Sequence, residues 1–161
     1  MKRLIITLLM LISGVGNAIA QNASLKEQVV GTWIHVSTTV TASDGKKSDR
    51  PGKGVLIYAP EGHFAFVNVA NNLPQLAANN RDKATAEEAR AIVAGSIAYY
   101  GTYTVDEATK TIVPKVEGST FPNMVGTDQS RVVTSITADE MRFINPKAPA
   151  GVLEILWKRA K

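Results

Sequence analysis

The side chains with most chemistry to offer a small molecule are Arg131, Gln129, Glu117, Tyr103 and His35. A guanidinium is a planar fork that matches a carboxylate or phosphate, while an amide and a phenol can orient a ligand by single hydrogen bonds. Alternation along extended chain puts Thr127, Gln129, Arg131 and Val133 on one face. It does the same for Tyr99, Gly101, Tyr103 and Val105, and for Trp33, His35, Ser37 and Thr39, with Ile34, Val36 and Val40 on the other side. An inward Arg131 is costly unless paired, and Glu117 on the neighbouring strand is an available partner. Facing a cavity, it suits an anionic ligand such as a fatty acid. The bland alternative points Arg131 to water and leaves Gln129 decorating the outside.

Other chemistries find less support. His35 and His63 are the only histidines and there is no cysteine, so nothing in the spacing argues for a metal, and no cofactor is implied. No glycine-rich phosphate loop, nucleophile elbow or HExxH motif is present. Glu117 and Tyr103 are the nominees if the chain is instead an isomerase or cyclase working by acid–base catalysis. The basic residues are scattered without interleaved aromatics, which argues against nucleic acid.

Residues 1–20 read as an address. Met1-Lys2-Arg3 is a positive start, Leu4 to Ile12 is apolar, and Ala18-Ile19-Ala20 has the small-residue pattern of a cleavage site after Ala20. The apolar run is short of the roughly twenty residues that span a bilayer. The expectation is a secreted or periplasmic protein with no stable membrane insertion, whose single domain covers residues 21–161. The whole chain carries a formal charge of +4, and Lys2 and Arg3 supply half of that excess. Without cysteine no disulfide can help, so the apolar core must hold the fold alone.

Strands must position the candidate residues. Eight runs rich in β-branched and aromatic residues are expected: 32–41, 54–59, 63–69, 99–105, 109–116, 127–136, 141–145 and 151–159. Pro60-Glu61-Gly62, Asp106-Glu107-Ala108 and Thr137-Ala138-Asp139-Glu140 read as hairpin turns. The exception is the stretch from Thr85 to Ala98, helical by propensity, with Thr85 and Glu88 spaced as a capping box. This helix, between the third and fourth strands, covers one mouth of a barrel or merely plugs an end. Pairing of the first and last strands closes eight antiparallel strands into an up-and-down barrel, a width that holds side chains or one small ligand.

The chain resembles the bacterial lipocalin-like domain family. The resemblance is carried by Val30-Gly31-Thr32-Trp33, by Gly54 through Phe64, and by Ala98 through Asp106. It continues in Val116-Glu117-Gly118-Ser119, Pro122-Asn123 and Gly126 through Arg131. It implies a barrel with a small-molecule cavity and little about activity. Relatives often place a histidine pair before the Val-Glu-Gly-Ser segment, where this chain has Pro114-Lys115. In barrels of this kind an early tryptophan packs beneath a late arginine, so Trp33 and Arg159 are expected to form a structural clasp. The functional expectation is an exported protein that binds a small hydrophobic or amphipathic molecule inside the barrel.

Overall fold

The computed structural model describes residues 23–127, 129–148 and 150–161, so the leader expected over residues 1–20 lies outside the described residues. A short helix α1 (Leu25–Val29) leads into β1 (Gly31–Thr41), β2 (Lys47–Asp49), β3 (Lys53–Tyr58) and β4 (His63–Val69). Helix α2 (Ala86–Gly95) follows, then β5 (Ser96–Asp106), β6 (Thr111–Ser119), β7 (Arg131–Ile136), β8 (Glu140–Ala148) and β9 (Gly151–Arg159). All neighbouring strands are antiparallel. Eight of them close into an up-and-down barrel, because β1 pairs with β3 on one side and with β9 on the other. The short β2 is an appendage on the upper part of β1.

The β1–β9 pairing runs from Trp33 opposite Arg159 to Thr41 opposite Val152. By contrast β6 and β7 share two register pairs, Thr111 with Val132 and Ile112 with Arg131. Beyond these the strands part. The connection between them carries a 3-10 turn at Pro122–Met124, with Met124 buried.

One departure from simple alternation matters for the interior. A bulge between His35 and Ser37 shifts the β1 register against β9. One extra residue flips everything after it. Trp33 and His35 keep the inward side, but beyond the bulge Thr38 and Val40 are buried, while Ser37 and Thr39, expected on the inner face, are not.

The two helices form for local reasons. α2 begins at Thr85, whose hydroxyl accepts from the Glu88 N–H while the Glu88 carboxylate accepts from the Thr85 N–H. The Ala77 N–H donates to the same carboxylate, and these bonds hold it below the ordinary glutamate range. The helix stops at Gly95, and Ser96–Ala98, expected as its last turn, instead begin β5. α1, unforeseen in the sequence, has the same device in Ser24 and Glu27. Glu107, from the β5–β6 turn, also accepts from the N–H groups of Leu25 and Lys26, a carboxylate at the positive end of a helix. Leu25 and Val29 are buried against the barrel end that holds Trp33. Among the described residues no helix is long and apolar enough to cross a membrane.

That end is locked by Arg159. Its guanidinium lies 4.1 Å from the Trp33 ring centroid. It donates to the carbonyls of Gln28, Val30 and Ala138 at 2.6–2.7 Å. Trp33 in turn donates its indole N–H to Val29 at 2.8 Å. Gly31 makes the close approach possible: its φ is +135°, and a Cβ there would sit 2.6 Å from Arg159 Nη1. Gly31→Ala is therefore expected to cost about 1–3 kcal/mol. The check is the urea unfolding midpoint, and an unchanged midpoint contradicts the account.

Candidate ligand-binding cavity

The closed end and the curved sheet leave a cavity of about 620 Å³ inside the upper barrel. That volume is within the range of small-molecule sites. Its floor and walls are largely aromatic. Phe66 and Tyr99 stack at 4.5 Å, and Trp157 meets Phe66 and His35 edge-on at 6.0 and 5.5 Å. Phe143 lies 6.1 Å from Trp157. Trp157 is fully buried, and its indole N–H has no hydrogen-bond partner among the described residues. The β6–β7 connection supplies part of the wall through Phe121, Asn123, Met124, Thr127 and Gln129. No α2 residue lines the cavity, so this helix neither plugs nor roofs it.

Polar groups on the lining come from several elements. His35 contacts the Gly52 carbonyl through Nδ1 at 3.1 Å and the Thr38 hydroxyl through Nε2 at 2.8 Å. A carbonyl only accepts, so the neutral ring carries its proton on Nδ1 and Nε2 accepts from Thr38. The bulge in β1 is what brings Thr38 to the inner side beside His35. Arg131, first residue of β7, is 5 % exposed. It donates to the carbonyls of Gln129 and Ser130, to the Tyr99 hydroxyl at 3.1 Å and to Gln129 Oε1 at 3.4 Å. Its guanidinium also stands 5.8 Å from the Phe143 ring centroid. Deeper in the barrel, burial pushes the Tyr58 phenol up, a shift that the charge of Arg131 opposes.

Of the side chains singled out in the sequence, His35, Gln129 and Arg131 line this cavity together. Tyr103 and Glu117 do not. Tyr103 is buried lower in the barrel, where its hydroxyl donates to the Ala59 carbonyl at 2.9 Å. Burial first, and the charge of Glu61 second, push its phenol up. Glu117 lies on the outward side of β6, between buried Val116 and half-buried Gly118, and accepts from the Thr102 hydroxyl at 3.5 Å. It makes no ion pair with Arg131, whose partners among the described residues are all neutral. Asn145, Thr38 and Phe66 are lining residues that sequence reasoning passed over. For Asn145 a signal existed, since alternation from Met141 through Phe143 carries the inner face to it.

A family profile described as a lipocalin-like domain matches residues 30–159, nearly all of the barrel. The chain belongs to the lipocalin-like domain family. Among solved structures, this lipocalin-like domain is similar to a lipocalin-like protein from Bacteroides uniformis. The two are 10% identical with a TM-score of 0.45, over 83% of this chain and 99% of that one. No curated protein matches the chain in sequence.

Proposed function

We propose that this lipocalin-like domain is an exported carrier that binds one small hydrophobic or amphipathic molecule inside its barrel. The supporting observation is the cavity itself, closed at the Trp33 end and walled by Phe66, Tyr99, Phe143, Ile155 and Trp157. Export, to the periplasm or outside the cell, is supported by the make-up of residues 1–20. The isomerase or cyclase alternative loses its nominees, because neither Glu117 nor Tyr103 reaches the cavity.

A titration with 1-anilinonaphthalene-8-sulfonate, followed by displacement with medium-chain lipids, tests the carrier reading. Saturable one-to-one binding is expected, with quenching of Trp157 emission that disappears in Trp157→Phe. Non-saturable probe fluorescence, with no displacement by any lipid, would sink it.

A further inference from the structure

Arg131 is a buried cation in the cavity wall. It is 5 % exposed, yet among the described residues its hydrogen-bond partners are four neutral oxygens and no carboxylate pairs with it. Nor does any acidic side chain line the cavity among the described residues, while Arg50 adds positive charge. A guanidinium buried to this degree without a counter-charge is costly to keep. Its Nε–H is not used in any of these bonds.

A second donor lies beside it. Val132 stands opposite Ile144 and Val133 opposite Phe143, so the same antiparallel register carried one step further sets Arg131 opposite Asn145. Directly opposed residues hold their Cβ atoms about 4.5–5.5 Å apart. Asn145 is likewise 5 % exposed and lines the cavity. Its Oδ1 accepts from the Lys147 N–H at 3.2 Å, and its Nδ2 has no hydrogen-bond partner among the described residues. Two buried cross-strand neighbours that line the same hollow thus have N–H groups not used in any bond among the described residues, and one of them carries a full charge.

We propose that Arg131 and Asn145 form a head-group site for a carboxylate, so that the ligand is an organic monoacid. Its apolar body would lie against Phe66, Phe143 and Trp157. The inference rests on the carrier reading and refines it. A carboxylate offers two coplanar oxygens, which the guanidinium fork and the neighbouring amide can share, and it supplies a counter-charge that no described residue gives Arg131. An alcohol or ester of the same chain length supplies acceptors without charge.

The test compares dodecanoate and dodecanol as displacers of the bound fluorescent probe, at a pH where the acid is ionised. Wild type is expected to prefer dodecanoate by about tenfold or more. Asn145→Asp places an internal carboxylate opposite Arg131. It is expected to raise Tm, weaken dodecanoate by about tenfold or more, and leave dodecanol within about threefold. Arg131→Met removes the charge at similar volume and is expected to erase the acid preference while dodecanol still binds. Dodecanol binding by each variant shows that the barrel is folded. Equal affinity of wild type for acid and alcohol, or undiminished dodecanoate binding in both variants, overturns the head-group site and leaves the carrier reading standing. If wild type binds neither the probe nor either lipid, both fall together.

Discussion

Trp33→Ala is expected to destabilise the barrel by about 3–5 kcal/mol, the range for deleting a buried aromatic side chain. Trp33 is completely buried and ties β1 to α1 through its bond to the Val29 carbonyl. It also fills the end of the barrel against Leu56, its register neighbour on β3. Alanine leaves a void beneath α1 and an unused carbonyl at Val29. The measurement is urea denaturation, with the midpoint falling at unchanged slope. A loss below about 1 kcal/mol would mean that the end is not packed as described.

Arg159→Ala is the second large effect, at about 2–4 kcal/mol. The side chain is half-buried and joins three parts of the chain: its own strand β9, the α1–β1 junction at Gln28 and Val30, and the β7–β8 turn at Ala138. Removing it strands three carbonyls and exposes one face of Trp33. Lysine should restore little, because a compact ammonium cannot reproduce a forked set of donors. The same denaturation measures it, and amide exchange in residues 25–30 should accelerate. In combination with Trp33→Ala the losses should fall short of additive by about 0.5–2 kcal/mol, the worth of a cation–π contact. Strict additivity would separate the two side chains energetically, whatever their 4.1 Å spacing.

Much of the architecture was legible because strands with one buried face advertise it. The three hairpin turns, the pairing of first and last strands and the Thr85–Glu88 cap all follow from local chemistry that the structure retains. Ser24 and Glu27 carry the same capping signal, but a helix of one turn offers too short an apolar period to stand out. The interior was harder to read. A bulge of one residue in β1 moves Thr38 and Val40 inward and turns Ser37 and Thr39 out, and nothing in Val36 announces it. Thr127 and Gln129 do reach the cavity, yet from an irregular connection and not from a strand, since β7 begins only at Arg131. Adjacency in strand order suggested Glu117 as the mate of Arg131. In the fold β6 and β7 have already separated at that height, and Glu117 faces outward.

That separation bears on how a molecule could enter or leave. Along β1 and β9 the cylinder is zipped over most of its height, but between β6 and β7 it is held by two register pairs and the bond from the Val133 N–H to the Lys110 carbonyl. A stretch with so few rungs has the least to lose on transient unzipping. Breathing motions of the shell should therefore concentrate on one flank, and exchange with solvent can proceed sideways there, past Arg131, without disturbing the sealed base.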